Sequence, residues 1–384
     1  MQDYLEFYNK KLEELNSNAQ KRRLFPAAVL PGGYAGSNGK SYINFSSNDY
    51  LGVAGDVDLK REFFSLCADE LPGLGSTGSR LLGGDSLEVE ALECGLADFY
   101  GKEALSFNSG YHANTGILPA LTTRDSIIFA DKLDHASIID GLKLCDGEFK
   151  RYRHLDYEQL EGMLAQAYKD GRQAFIVSES VFSMDGDEAD IRKLVELKKR
   201  YSAVLVIDEA HSVGVMGPAG RGVCAALGVL DDVDVMIGTF GKAFGSMGAF
   251  AITNKVIKEM LINRMRSFIF STALPPVNAR WTRFVLEKMP DFEERRKKLK
   301  RLSDAVRNVV TESGYQSLGD SHIVPLIVGD NGETLKLSGK LFEHGILCGA
   351  VRPPTVPKGS ARLRFSMNAA LDEAVPERLK EALN

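Results

Sequence analysis

The sequence has little of what staples, ligates or anchors a chain. Five cysteines, Cys67, Cys94, Cys145, Cys224 and Cys348, are scattered over 384 residues, an odd number with no Cys-x-x-Cys pair. That excludes a disulfide framework and a zinc ribbon and leaves reduced thiols in a cytoplasmic protein; no metal site is expected. Basic side chains are in deficit, 47 Lys and Arg against 52 Asp and Glu, so charge gives no support to nucleic-acid binding. A local basic patch that meets an anionic substrate is still allowed. No apolar run reaches the roughly 18 residues of a membrane span. Met1–Lys11 mixes charged and aromatic side chains without the apolar stretch of a secretory signal. Internal repeats and low-complexity tracts are also lacking.

What is there is the balance of a globular chain, long enough for one large core-bearing domain and a smaller one. Residues Tyr4 to Leu24 read as a charged amphipathic helix stopped by Pro26, and Pro31 to Lys40 as a hairpin or loop. From Phe99 onward, β-rich runs at Ala104–Phe107, Ser126–Asp131, Ala174–Glu179, Ala203–Asp208, Val233–Thr239 and Gly248–Thr253 alternate with helix-length segments such as Tyr157–Tyr168 and Ile191–Tyr201. Several runs are apolar on consecutive residues, as strands buried on both faces are, so the pattern is α/β with a mainly parallel sheet. Trp281 to Ser313 reads as one long charged helical region, and strands at His322–Val328, Ile346–Val351 and Ala361–Met367 complete a small α+β domain. The domains expected are an N-terminal helix and arm (1–45), a large domain (46–280) and a small C-terminal domain (281–384).

Chemistry gathers where strands end, as ligands do in open α/β sheets. Asp208-Glu209-Ala210-His211 follows the run ending at Ile207; it reads equally as a site or as a helix N-cap. Lys242 in Thr239-Phe240-Gly241-Lys242 follows another buried run, where a desolvated lysine can act as a neutral nucleophile toward carbonyls; the plain alternative is a surface loop lysine. Ser109-Gly110-Tyr111 joins a strand to a helix and offers backbone N–H groups to a phosphate, or is a simple β-α turn. Asp134-His135-Ala136-Ser137 follows a third strand. Arg362 and Arg364 alternate along a strand, so one of them at most faces a site and the other makes a surface or inter-domain contact. Gly73-Leu74-Gly75-Ser76-Thr77-Gly78 spells a dinucleotide fingerprint but follows a helical pattern, which favours a flexible loop.

Taken in order, these motifs resemble the pyridoxal-phosphate-dependent α-oxoamine synthases of the fold-type I aminotransferase superfamily. The likeness runs from Asn44-Phe45-Ser46-Ser47-Asn48-Asp49 through Ser183-Met184-Asp185-Gly186-Asp187 to Met367. It implies a large domain with a mainly parallel seven-stranded sheet flanked by helices, and a small C-terminal α+β domain. It further implies pyridoxal 5'-phosphate held as a Schiff base on Lys242, with Asp208 on the ring nitrogen, His211 on the phenolic oxygen and His135 stacked on the ring. Gly110, Tyr111, Ser183 and Thr239 complete the cofactor contacts, with Thr272 lent by the second subunit of a homodimer. Asn48 and Arg364 would take the amino-acid carboxylate. The reaction implied is condensation of an amino acid with an acyl-CoA or acyl-carrier-protein thioester, with loss of CO2 and thiol.

Val351-Arg352-Pro353-Pro354-Thr355-Val356-Pro357 looks most like the biotin-pathway member, which joins L-alanine to a pimeloyl thioester. In that member an arginine near the N-terminus helps bind substrate, and Arg22 is the matching position beside Arg23. A sister enzyme that uses glycine with acetyl-CoA or serine with palmitoyl-CoA, and a non-catalytic scaffold subunit of the same fold, are the competing readings. The presence of Lys242, Asp208 and His211 speaks against the scaffold.

Overall fold

Every strand-forming run expected before residue 280 enters one seven-stranded sheet of the computed structural model, which describes residues 4–384. Its strands in chain order are β1 (Glu103–Phe107), β2 (Ser126–Asp131), β3 (Glu148–Tyr152), β4 (Gln173–Glu179), β5 (Val204–Asp208), β6 (Val235–Thr239) and β7 (Ala249–Thr253). Their order is β1-β7-β6-β5-β4-β2-β3. Strand β7 runs antiparallel to both of its neighbours, and every other pair is parallel. The central strands are apolar on consecutive residues because helices cover both faces; Ile127 to Ala130 and Leu205 to Ile207 are all buried. Strand β3 escaped the sequence pattern. It is an edge strand, and Glu148, Phe149, Lys150 and Arg151 are all exposed, so nothing selects apolar residues there.

Helix Gly110–Leu121 lies against this sheet and against helix Ala136–Lys143. The two helices approach so closely that a Cβ on Gly141 would stand 2.3 Å from the Asn114 carbonyl oxygen. Side-chain caps at Ser109, Asp156, Asp190 and Asn254 start four of the covering helices by accepting backbone N–H bonds.

The chain divides into two compact units. The larger comprises residues 56–183 and 188–296; the smaller takes in the chain up to Gly55, residues 184–187 and residues 297–384. Residues 281–296, placed by sequence with the C-terminal domain, belong to the larger unit, because helix Pro276–Lys288 packs along helix Leu87–Tyr100. The helical region expected from Trp281 to Ser313 comprises two helices: a 3-10 turn at Met289–Phe292, with Pro290, separates Pro276–Lys288 from Glu293–Glu312.

In the smaller unit the N-terminal helix ends at Ser17, not at Leu24, and the following residues carry Arg22 on a non-helical arm. Strands Ala28–Leu30, Tyr34–Ser37 and Lys40–Asn44 form an antiparallel ribbon. Its last turn is Asn38-Gly39, with φ of 51° and 73°, the pair of positive values that a two-residue hairpin demands. The run Ile346–Val351 splits: Ile346–Leu347 pairs with Lys40–Asn44, and Ala350–Val351 with Ala361–Ser366. Arg362 is buried, which corrects the expectation of a surface contact, and is ion-paired with Asp185, a residue that the sequence boundaries put in the large domain. That bond gathers the turn at residues 184–187 into the smaller unit.

Replacing Gly141 with alanine forces the two helices apart. We expect a loss of about 1–3 kcal/mol, the ordinary cost of overpacking, measured by denaturant unfolding against the unmodified chain.

Candidate active site

The carboxyl ends of β4, β5 and β6 carry Glu179, Asp208 and Thr239, and the loops beyond them carry Ser183, His211 and Lys242. Lys242 sits in the turn between β6 and β7. Phe240 N–H and Thr239 Oγ1 both donate to the Gly248 carbonyl, at 2.9 and 3.0 Å, and Gly241 N–H donates to Thr239 Oγ1 at 3.2 Å. These bonds close the turn beneath the lysine. Its Nζ lies 2.8 Å from His211 Nε2, so the two strand-end motifs meet.

Asp208 is buried and ends a strand covered on both faces, where a bare carboxylate is costly. It is compensated by two N–H donors: Asn114 Nδ2 at 2.7 Å and the Ala210 backbone at 2.8 Å. The second bond closes a turn, and no helix follows it, so Asp208 is not the helix N-cap that one sequence reading made it; its other oxygen is held by Asn114. Asn114 also donates to Ser137 Oγ at 3.0 Å. Sequence reasoning passed over Asn114. It stands inside the motif that begins at Ser109, five residues further on in the same helix, and only the fold turns it toward Asp208.

Ser109 caps helix Gly110–Leu121 through a bond from His112 N–H at 3.2 Å. This leaves the Gly110 and Tyr111 N–H groups at the helix's open, positive end. A Cβ on Gly110 would lie 3.9 Å from Thr239 Oγ1, so the threonine hydroxyl stands beside that end. The two N–H groups form a cradle suited to a phosphate, with the Thr239 hydroxyl alongside. Ser183 is buried just beyond β4. Thr272 is exposed, pairs with Ser79 in an isolated bridge, and its carbonyl accepts from Asn108 Nδ2 at 2.5 Å.

His135 caps helix Ala136–Lys143 and keeps part of its ring open to solvent, with Nδ1 2.7 Å from Ser137 Oγ. Packing around the remainder of the ring removes hydration from the charged form and pushes its pKa below the ordinary 6.5; Asp208 opposes this and Lys242 adds to it.

Behind this edge lie carboxyls with high proton affinity. Burial, then the charges of Glu179 and Asp131, push Asp134 well above the usual carboxylate range. Among the described residues no cluster of three or more His, Cys, Asp or Glu side chains is placed to hold a metal, and no helix is long and apolar enough to cross a membrane.

The smaller unit brings together a second expected pair. Asn48 Oδ1 accepts from Arg364 Nη1 at 3.0 Å, Ser366 Oγ at 3.1 Å and Tyr50 OH at 3.2 Å. Three donors on one amide oxygen fix the amide's orientation and turn its NH2 to the other side. Arg22 is exposed and donates to Thr355 Oγ1 at 3.0 Å, and Arg352 lies near enough for Arg22 to depress its pKa further after burial. Of the two neighbouring arginines, Arg22 is the one with this bond. Neither Thr355 nor Ser366 stood out in the sequence, because a lone hydroxyl has no pattern.

Residues 40–383 match the model of the aminotransferase class I and II family. Among curated proteins, the chain is 46% identical over 367 residues to 8-amino-7-oxononanoate synthase of Chlorobaculum parvum, covering 94% of each chain. It is 44% identical to the putative enzyme of the same name from Pasteurella multocida, covering 97% of each. Among solved structures, serine palmitoyltransferase from S. paucimobilis superposes with a TM-score of 0.90 at 28% identity, covering 98% of this chain and 96% of that one. The 8-amino-7-oxononanoate synthase of Francisella tularensis superposes at 0.74 with 30% identity, covering 89% and 96%.

Asp134 yields a pH prediction. A carboxyl whose pKa is raised on folding stabilises the fold below its ordinary value of 3.8, and that contribution is lost as pH rises toward the folded value. Asp134→Asn should therefore flatten the decline in stability with rising pH above about 4, read as thermal midpoint against pH.

Proposed function

We propose a reaction on one premise: the chain belongs to the aminotransferase class I and II family and, within it, to the α-oxoamine synthases. The reaction is decarboxylative condensation of L-alanine with a pimeloyl thioester, carried on CoA or a carrier protein. It yields 8-amino-7-oxononanoate, CO2 and free thiol, a step of biotin synthesis, and we place it in the cytoplasm. The observation that carries the reading is the meeting of Lys242 Nζ and His211 Nε2 at the strand edge that also holds buried Asp208.

The donor set fits pyridoxal 5'-phosphate: a lysine amine, a buried carboxylate with its own donors, a partly open imidazole and a helix N-terminus beside a threonine hydroxyl. Lys242 would hold the aldehyde carbon, Asp208 the ring nitrogen, His211 the phenolic oxygen and His135 one ring face. Gly110, Tyr111, Ser183 and Thr239 would hold the remainder, with Thr272 from a second copy in a homodimer. When bound, the cofactor supplies an electron sink for the negative charge that develops at the amino acid's Cα.

The chain's own residues do the rest. Within the smaller unit, Asn48 NH2 and the Arg364 guanidinium would offer donors to the amino-acid carboxylate. Lys242 Nζ takes the Cα proton and later returns a proton to that carbon, and His211 fixes where the amine stands. Arg22, steadied by Thr355, receives the acyl substrate. Asp208, held by Asn114 and Ala210, would stand against the ring nitrogen.

One observation favours a second reading, condensation of serine with a long-chain acyl thioester: the superposition on serine palmitoyltransferase is the better of the two by TM-score. Thiol release separates them. The cofactor-loaded protein is given L-alanine, glycine or L-serine with pimeloyl-, acetyl- or palmitoyl-CoA. Release with L-alanine and pimeloyl-CoA is expected; a best rate with serine and palmitoyl-CoA would move the assignment to the sister activity. Lys242→Ala should lower turnover by at least about a thousandfold, the order of a lost general base with its covalent anchor, and abolish the Schiff-base absorbance. Retained turnover in that variant would refute the role of Lys242.

A further inference from the structure

Glu179 ends β4 directly beside Asp208, its register partner at the end of β5. Register partners of a parallel pair project from the same face, here the face on which Asn114 of helix Gly110–Leu121 meets Asp208. Glu179 is 2% exposed, and its Oε1 is buried without a hydrogen-bond partner. Asp208, by contrast, has its two N–H donors. No part of the reaction described above uses Glu179.

We propose that Glu179 is a positioning residue that stands as the neutral neighbour of Asp208 on the adjoining strand and locates His135. The inference rests on the reading that pyridoxal phosphate sits on Lys242. Two carboxyls side by side, away from water, do not both ionise; they share one charge. The donors decide where it goes. They reward charge on Asp208, and none rewards it on Glu179 Oε1, so the proton stays with Glu179. Burial and then the charge of Asp208 push the Glu179 pKa well up, with Asp131 adding, while Lys242 and the His135 backbone N–H pull it down. Asp134, from the loop after β2, faces it as well.

Two consequences follow for the residues around it. As a neutral acid, Glu179 adds no second negative charge to compete for the proton of the Lys242 nitrogen, which reacts only when it can give that proton up. Its carboxyl also faces the backbone N–H of His135, the cap of helix Ala136–Lys143, and so bears on where the imidazole stands. One side chain then sets both groups that would bracket the cofactor ring.

The test reconstitutes wild type, Glu179→Gln, Glu179→Asp and Glu179→Leu with pyridoxal phosphate. It titrates the Lys242–cofactor absorbance against pH, measures cofactor affinity by fluorescence, and checks folding by circular dichroism. A wild type without that absorbance overturns the functional reading itself, and this inference with it. Given the absorbance, Glu179→Gln, neutral and of the same shape, should titrate within about 0.3 unit of wild type and bind within about twofold. Glu179→Leu should move the titration by about half a unit or more and weaken binding about tenfold. If the leucine variant does not fold, Glu179→Asp is read in its place, with weakened binding expected from its shorter reach. A shift of about a unit or more in Glu179→Gln would show that the group works ionised and sink the proposal. Wild-type titration and affinity in the leucine variant, or in the aspartate variant read for it, would do the same.

Discussion

A carboxylate at the end of a strand covered on both faces is stable only if N–H groups are brought to it, and for Asp208 they come from Asn114 and Ala210. The first donor depends on where helix Gly110–Leu121 lies. That helix is set against Ala136–Lys143 at a contact that admits no side chain at Gly141. Its first turn offers the Gly110 and Tyr111 N–H groups, and its second supplies Asn114. The anion cradle and the carboxylate's donor are therefore one rigid element, and neither can shift without the other.

The lysine is held by a different device. Strand β7 returns antiparallel beside β6, so Lys242 stands in a turn whose two ends are hydrogen-bonded to each other through Thr239, Phe240 and Gly248. The antiparallel strand in an otherwise parallel sheet thus has a use at the site. In the smaller unit, Arg364 is oriented by Asn48, while Arg362, two residues away on the same strand, is spent on Asp185.

Much of this was legible in the sequence, for physical reasons. Buried parallel strands announce themselves as unbroken apolar runs, and a functional residue just past such a run, like Asp208 or Lys242, stands out against them. Strand β3 gave no such signal, because an exposed edge accepts Lys and Arg as readily as Val. The helix drawn to Leu24 stopped at Ser17 because charge alternation persists along an arm that has no core to report. Asn114, Thr355, Ser366 and Glu179 were not legible at all. Each matters through a partner far away in sequence, and a short polar side chain looks the same whether it meets water or a buried carboxylate.

The composition of the smaller unit has a consequence for how the chain is made. Strand Lys40–Asn44 pairs with Ile346–Leu347, and Asn48 waits for Arg364. The larger unit, by contrast, is complete in sequence by residue 296. On a ribosome adding about 5–20 residues per second, the N-terminal ribbon emerges first and finds its partners last. During that interval Tyr42, Ile43 and Phe45, buried in the finished molecule, have no core of their own unit to enter. Those three side chains therefore reach their own unit's core only when the last segment of the chain has been made.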